Sequence, residues 1–550
     1  MELMEKPRIA YFCMEYGLHS DFKLYAGGLG ILAGDYLKAA KDNNLPVIGI
    51  GLLWKQDYTQ QYLDNRGFPY DTFPEFNYNF LKDANIKVTV NIGGRDVVCK
   101  VWKVDRFGNA DLYLLDTDIE ENRDWVINDQ LYGGFSEKRI PQELVLGIGG
   151  IRAIRALGLD IDIYHFNEGH AVFAGIELIR EKMHNEHMSF EDAWETTRNQ
   201  IVFTTHTPVR AGNEEHSLGM LWDKGTYNWL SYDQLRAIGG DPFNMTIAGL
   251  RLSRIANGVA QLHCETANRM WNFVDNRAPI ICVTNGVHRD TWLDKRMEET
   301  YKNNGNLWET HLELKKELID FVKDRTGVVF NLHNLLIGFA RRSTEYKRTN
   351  LILKYEDKIS PLLKEGKLQL LFSGKAHPDD TEGKTLISHL VSMSKKYPGS
   401  IVFLENYDME IAKKMVTGCD VWLNSPRKPN EASGTSGMKA AMNGVLNLST
   451  LDGWWPEACV HGLNGWQFGD SFHSEYSWEQ DRHDIESLYR VLLGEVIPTY
   501  YNDREKWVNM MKASIDTVYE KFSATRMILD YYKKMYLEAY RLLPVRVRQH

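Results

Sequence analysis

At 550 residues, with 43% hydrophobic and 25% charged side chains, the chain is too long for one core and has the make-up of an ordinary globular protein. Its net charge of −9 argues against DNA or RNA as a partner, while leaving room for a small basic pocket. No stretch reaches the roughly 18 apolar residues of a membrane span, and the first residues lack the apolar run of a secretory signal, so a cytoplasmic protein is expected.

Short apolar runs alternate with helical periods along the chain. Arg8–Met14 reads as a strand, followed by the loop Tyr25–Gly30, a helix from about Ile31 to Asp42 and a strand over Pro46–Leu53. That is a βαβ unit. Ile161–Phe166 reads as a strand ending in NEGH, with a helix from His170 to about Met183. Ile201–Thr205 ends at His206, and Pro279–Val283 ends in TNG. A charged helical stretch spans about Leu293 to Asp324. Beyond it Leu335–Ala340, Leu368–Phe372, Ile401–Leu404, Asp420–Leu423 and Val445–Leu448 read as buried parallel strands. The expected fold is α/β: two doubly wound Rossmann-like domains, 1–300 and 301–550, with a boundary between about 290 and 320. Facing each other, they would place a cleft at the C-terminal ends of both sheets. Amphipathic helices from about Ile485 to Leu543 could return to the first domain.

Cys13, Cys99, Cys264, Cys282, Cys419 and Cys459 are scattered without a close pair, which reads as reduced thiols and no zinc site or other structural metal. The 15 Trp and 27 Tyr fit core packing as well as sugar stacking.

The chemistry-bearing loops all follow strands. EASGTSGMKAAMNG, Glu431–Gly444, opens a helix with cap residues Ser433, Thr435 and Ser436, and with glycines Gly434 and Gly437 that allow close approach. Lys439 stands near that helix start, where positive charge is unfavourable unless the amine is tied up and the turn grips an anion. A capped helix with an exposed lysine explains the segment equally well. ARRSTEYKRTN, Ala340–Asn350, reads as strand then helix and crowds Arg341, Arg342, Lys347 and Arg348. Following an apolar strand, the two arginines should point into the cleft, as anion ligands rather than a solvated face. AGGLG, Ala26–Gly30, offers backbone N–H groups to an anion. NEGH, THT and TNG add polar strand tips, a candidate sugar-binding wall.

Together these runs resemble the α-glucan phosphorylases, the glycogen and starch phosphorylases of the GT-B glycosyltransferase type. The closest run is EASGTSGMKAAMNGVLNLSTLDG at Glu431. GGLG at Gly27, FNEGH at Phe166, THT at Thr205, SRIANGVAQLH at Ser253, TNGVHRDTW at Thr284, RRSTEYKR at Arg341, SGKAHP at Ser373, VFLENY at Val402 and FSATRMI at Phe522 follow the family's order. The resemblance implies reversible phosphorolysis of α-1,4-glucan by inorganic phosphate, releasing α-glucose 1-phosphate with retention. It implies pyridoxal phosphate held on Lys439 as a Schiff base. Thr435, Ser436 and Gly437 would cradle the cofactor phosphate, with Arg341 and Lys347 near it. Arg342, Lys347 and Gly28 would bind substrate phosphate. Asn285, Glu431, Ser433 and Gly434 would bind the glucose hydroxyls. Glu168 and Gly27 stand in runs implied to line the substrate site, and the main-chain carbonyl of His206 would lie near the anomeric carbon. The family is often dimeric; the choice among glycogen, starch and maltodextrin stays open.

The chain departs from familiar members in several places. GTSGMK replaces GTGNMK, so Ser436 and Gly437 replace Gly and Asn. Thr344 replaces a histidine, Glu168 an aspartate, and Trp454–Trp455 follow the final DG. The stretch from Glu15 to Gly27 is compressed, and no N-terminal segment for phosphorylation or nucleotide control is recognised, so no response to AMP is expected. Two other classes share parts of the pattern. A nucleotide-sugar transferase would need no Schiff-base lysine, and a non-catalytic glucan binder would leave Lys439 or Arg342 idle.

Overall fold

The computed structural model describes residues 6–134, 136–208, 213–470 and 472–543. The chain divides into two compact units. The first comprises Met1–Tyr58, Phe73–Thr284 and Ala524–His550; the second comprises Thr59–Thr72 and Asn285–Ser523. The main division thus falls at Thr284, ahead of the 290–320 stretch, and the chain's last segment groups with the first unit. No helix among the described residues is long and apolar enough to cross a membrane.

The first unit is built on nine strands: β1 (Ile9–Phe12), β2 (Val47–Leu52), β3 (Lys82–Ile92), β4 (Arg95–Val104), β5 (Leu112–Asp116), β6 (Ile163–Asn167), β7 (Ile201–Thr204), β8 (Ile255–Gly258) and β9 (Ile280–Cys282). Their order across the sheet is β9-β8-β7-β6-β1-β2-β5-β4-β3. Pairing is parallel except at the β5-β4-β3 edge. The apolar run of β1 is buried throughout, as a strand covered on both faces must be. The β3–β4 hairpin turns on Gly93 and Gly94, both at positive φ (61° and 79°), the backbone that a tight two-residue hairpin demands.

Helix α1 (Gly28–Asp42) connects β1 to β2. It packs so closely that a Cβ on Gly34 would lie 2.1 Å from the Gly17 carbonyl oxygen. The helix Ala524–Tyr531 lies against it. There the Tyr36 and Tyr536 hydroxyls meet at 2.5 Å, and His165 on β6 bonds Tyr536 at 2.7 Å and Thr204 at 2.7 Å.

The second unit holds a six-stranded, wholly parallel sheet: β10 (Leu335–Ala340), β11 (Leu368–Ser373), β12 (Ile401–Leu404), β13 (Val421–Asn424), β14 (Leu446–Thr450) and β15 (Gly465–Phe468). The order is β12-β11-β10-β13-β14-β15. Its first strand is central and the winding reverses between β10 and β13, the doubly wound order whose switch point receives ligands.

The charged stretch expected as one helix is broken. Lys295–Lys302 ends before Asn306, whose side chain caps helix α2 (Leu307–Thr326), and Gly327 at φ 75° ends α2. Buried Asp420, just before β13, accepts from Lys315 at 2.6 Å and His311 at 2.9 Å on α2, which fixes that helix to the sheet. The hairpin Gln60–Leu63/Pro69–Thr72 docks on this unit through Gln61 to the Ala376 carbonyl (3.1 Å) and the Lys384–Asp71 ion pair (2.6 Å).

One expectation about the cysteines is overturned. Cys264, on helix Gln261–Met270, is disulfide-bonded to Cys282 at the end of β9. The βα crossover folds two residues 18 apart in sequence onto each other. The other four cysteines are free thiols.

Candidate active site

In the first unit the sheet's winding reverses between β1 and β6; the loop after β1 carries Glu15 and Gly27 and leads to Gly28 at the start of α1, and β6 ends at Asn167 with Glu168 next. The Glu15 carboxylate accepts from the N–H groups of Ala26 (2.6 Å) and Gly27 (3.1 Å) and from the Tyr132 hydroxyl (3.0 Å). The Gly27 amide is therefore committed to Glu15 rather than open to an anion, which corrects the reading of AGGLG as a run of free donors. Gly28 opens α1, which has no side-chain cap and no acidic residue in its first turn. A Cβ on Gly27 or Gly28 would meet nothing within 4 Å, so the loop borders open space. The first amides of such a helix attract negative charge.

Glu168 holds φ 74°, a conformation side chains other than glycine rarely adopt. Its carboxylate accepts from the backbone N–H of His206 (2.5 Å) and Gly169 (3.2 Å) and from the Thr207 hydroxyl (3.2 Å). Burial lifts its pKa against the pull of these donors. Glu168 thus orients the His206 loop. The His206 ring bonds Asn167 Oδ1 at 2.6 Å, and burial, with His263 nearby, pushes its pKa down to about 3, so the ring is neutral.

In the second unit the switch point lies between the ends of β10 and β13. Arg341, directly after β10, is buried and donates from Nη2 to Glu431 at 2.5 Å, while its Nε and Nη1 are buried without a partner. Arg342 is exposed, because successive side chains of an extended chain point opposite ways. The two arginines differ in burial, yet both act electrostatically on Glu431 and Lys347. Contrary to expectation, no α-helix directly follows them: Glu345–Lys347 and Leu351–Leu353 are single 3₁₀ turns.

Lys347 is half-buried; burial first, then Arg341, lowers its pKa to about 7. Arg348 leaves this group altogether. It bonds the carbonyls of Ser425 (2.8 Å) and Pro426 (3.0 Å) and pairs with Asp481 (2.9 Å) and Asp484 (2.7 Å).

The Glu431–Lys439 run crosses the same end of the sheet. Burial opposes ionisation of Glu431, yet Arg341 and Lys347 hold its pKa below the ordinary value. Ser433 is buried and its hydroxyl has no partner. Gly434 takes φ 74°. Thr435 is the N-cap of helix α3 (Ser436–Met442), but its side chain makes no cap bond, and Ser436 accepts from Trp422 Nε1 at 3.1 Å. Lys439 is 6% exposed and its Nζ lies 3.7 Å from the centre of the Trp292 ring. This excludes the exposed lysine of the alternative reading. Asn285 is also buried.

Two contributors, Glu15 and Asp452, escaped the sequence reading, and the tryptophan pair after the DG, open there between sugar stacking and core packing, is placed by its burial. Glu15 fixes the glycine loop, as described. Asp452 accepts from the backbone N–H groups of Glu431 (3.0 Å) and Gly453 (2.9 Å), and burial pushes its pKa up to about 8. Trp454 and Trp455 are buried at 3% and 2% exposure, which places them in the core instead of on a surface for stacking sugar. The signal for Asp452 was its place at the end of an apolar strand.

The second unit therefore carries a buried lysine, Lys439, and a group in which Arg341, Arg342 and Lys347 act on Glu431, with uncommitted donors on Arg341 and Ser433. A model of the carbohydrate phosphorylase family matches residues 295–461, which span all of these but not Asn285 or Trp292. The chain is 39% identical to the maltodextrin phosphorylase of Thermococcus litoralis, over 97% of this chain and 71% of that protein. It is 35% identical to the glycogen phosphorylase of Aquifex aeolicus, over 96% and 86% respectively. An uncharacterized protein of Methanocaldococcus jannaschii is 36% identical, over 96% of this chain and 99% of its own length.

The chain belongs to the carbohydrate phosphorylase family.

Membership makes it an enzyme of the pyridoxal phosphate-dependent glycosyltransferase class. The residues present fit such a cofactor. Lys439 offers a buried amine. Arg341 Nε and Nη1 and the Ser433 hydroxyl are buried donors awaiting acceptors, and an anionic group would supply them.

Proposed function

We propose that the protein is an α-1,4-glucan phosphorylase, which transfers the terminal glucose of an α-glucan to inorganic phosphate and releases α-glucose 1-phosphate with retention of configuration. The observation that carries this reading is buried Arg341, which pairs with Glu431 while leaving two N–H donors uncommitted at the switch point of the second sheet. In this reading the fold is of the GT-B type, and both units serve one substrate.

Lys439 would hold the pyridoxal phosphate. Thr435, Ser436 and Gly437 would receive its phosphate, with Arg341 and Lys347 adding positive charge. When bound, the cofactor supplies a second phosphate as an acid–base group beside the substrate phosphate. Arg342, Lys347 and Gly28 bind the substrate phosphate. Asn285, Glu431, Ser433 and Gly434 hold the glucose hydroxyls, while Glu168 keeps His206 oriented toward the same sugar. Gly27 keeps the loop free of side-chain bulk.

The chemistry is balanced without a carboxylate pair of the glycosidase kind. The substrate phosphate gives a proton to the glycosidic oxygen as the bond to the anomeric carbon breaks. A phosphate oxygen then bonds that carbon from the same face, and the shortened glucan leaves with a new hydroxyl. The cations and helix N-terminal amides offset the negative charge gathered there. Neutral His206 places no further charge beside the developing oxocarbenium ion. Exclusion of water directs the sugar to phosphate rather than to hydrolysis.

Formation of glucose 1-phosphate from maltoheptaose only when phosphate is supplied tests this reading. Glucose transfer from a nucleotide sugar, without phosphorolysis, would replace it with the nucleotide-sugar transferase.

A further inference from the structure

Away from these residues, the first unit gathers a second set of chemically capable side chains. Glu143 comes from helix Ser136–Leu144. His216 lies on the two-residue strand Glu215–His216, which pairs antiparallel with Phe243–Asn244, and Glu214 directly precedes that strand. One potential ligand atom from each of Glu143, Glu214 and His216 lies within 4.8 Å of the others.

His216 Nε2 is 3.3 Å from a Glu143 oxygen and 3.7 Å from a Glu214 oxygen. The side chains of His216 and Glu143 are 0% exposed, and that of Glu214 is 28% exposed. The other Glu143 oxygen, Oε1, is buried and has no hydrogen-bond partner. A buried carboxylate oxygen without a donor needs a counter-charge.

We propose that Glu143, Glu214 and His216 bind one divalent transition-metal ion of the zinc class. Zinc–nitrogen and zinc–oxygen bonds of about 2.0–2.2 Å in a tetrahedral array put neighbouring ligand atoms roughly 3.3–3.6 Å apart. Of the separations from His216 Nε2, 3.3 Å falls in that span and 3.7 Å lies just beyond it, so closing the site takes only a small movement of Glu214.

An imidazole nitrogen with two carboxylates suits zinc, cobalt or manganese. Magnesium and calcium prefer oxygen-only shells of higher coordination number. His216 Nδ1 lies 3.1 Å from the Ser136 hydroxyl, an outer contact of the kind that fixes the tautomer and leaves Nε2 as the ligand. The fourth position would be water, reached past the partly exposed Glu214.

Arg139 is the neighbouring cation, with Nε 3.6 Å from Glu214 and its guanidinium carbon 4.6 Å from the Tyr132 ring centre. Its Nη1 is buried without a hydrogen-bond partner, so it does not satisfy Glu143 Oε1. A bound ion would tie helix Ser136–Leu144 to the chain that follows the His206 loop. That is a structural role, independent of the phosphorylase reading.

The test uses the full chain, stripped with EDTA and dialysed free of metal, then titrated with Co²⁺ and Zn²⁺. One equivalent of Co²⁺ per chain should bind with the visible d–d absorption of a tetrahedral site and be displaced by one equivalent of Zn²⁺. A hundredfold excess of Zn²⁺ over its Kd should raise Tm by about 2–4 °C. Glu143→Gln and His216→Gln should each weaken binding by about a hundredfold. If either fails to fold, Glu214→Gln, at a partly exposed position, makes the same comparison. No saturable uptake of either metal by the wild type would overturn the proposal. So would unchanged affinity in the folded variants.

Discussion

The indole of Trp454 closes the space beside Gly437: a Cβ built on Gly437 would lie 3.1 Å from Trp454 Nε1 and Cζ2, and 2.5 Å from Asn447 Oδ1. Trp454 is held there by the Phe522 ring, edge-on at 4.9 Å between centres, and by Trp455 at 5.1 Å. Familiar phosphorylases have asparagine at the Gly437 position and no tryptophan after the DG pair. The two departures of this chain are therefore one packing unit. Overpacking a filled core costs about 1–3 kcal/mol, so Gly437→Asn should destabilise the chain by about that much and weaken cofactor retention. Trp454→Ala should be costly alone yet relieve the part of the clash that falls on the indole, leaving the closer approach to Asn447 Oδ1. A double-mutant cycle by urea unfolding should give a coupling of at least about 1 kcal/mol. Simple additivity would contradict the account.

Lys347 gives a pH dependence with a definite sign. Its folded pKa is lowered to about 7 from an ordinary 10.5 by burial and by Arg341. Between these values the unfolded chain holds a proton that the folded chain has released. Lys347 therefore penalises folding fully below about 7, and the penalty is relieved as pH rises toward 10.5. Binding has the opposite sense, because the charge that attracts phosphate is lost as pH climbs past 7. The KM for phosphate should rise on the alkaline side in the wild type, starting above that point because the phosphates bound beside Lys347 favour its charged form. Lys347→Arg, whose charge does not titrate, should bind phosphate less well but with a flatter alkaline limb. Parallel slopes in the two proteins would remove Lys347 from phosphate binding.

The Cys264–Cys282 bond closes a loop 18 residues long. A cross-link of that size stabilises by about 3 kcal/mol in the chain-entropy picture. Thiol titration of the denatured, unreduced chain should find four free thiols out of six. Reduction should lower Tm, and Cys282→Ser should show the lower value with or without reductant. Six free thiols in the freshly purified protein would contradict the pairing.

The sheet strands were legible because buried parallel strands are continuous apolar runs; Leu335–Ala340 and Leu368–Ser373 are read from composition to within a residue. The βα loops were legible only in company: the Ser433–Lys439 segment alone read equally well as a capped helix with an exposed lysine, and its ordered neighbours tipped the reading. What stayed hidden depends on partners far along the chain. Nothing near Arg348 announces Asp481 and Asp484, so it looked like one more phosphate ligand. Glu15 reads as one acidic residue among many until its bonds to Ala26 and Gly27 are seen. The hairpin Gln60–Thr72 has no local sign that it belongs with residues after 285. Cys264 and Cys282 look unrelated until a helix and a strand are laid side by side.

The most direct measurement is phosphorolysis itself. The purified protein is supplied with pyridoxal phosphate, maltoheptaose and inorganic phosphate, and glucose 1-phosphate is measured beside a folded Lys439→Ala variant. The account predicts phosphate-dependent product from the wild type and at least a thousandfold less from the variant, on the order of 4 kcal/mol in activation free energy. No product from the wild type on either maltoheptaose or glycogen, or equal product from Lys439→Ala, would contradict it.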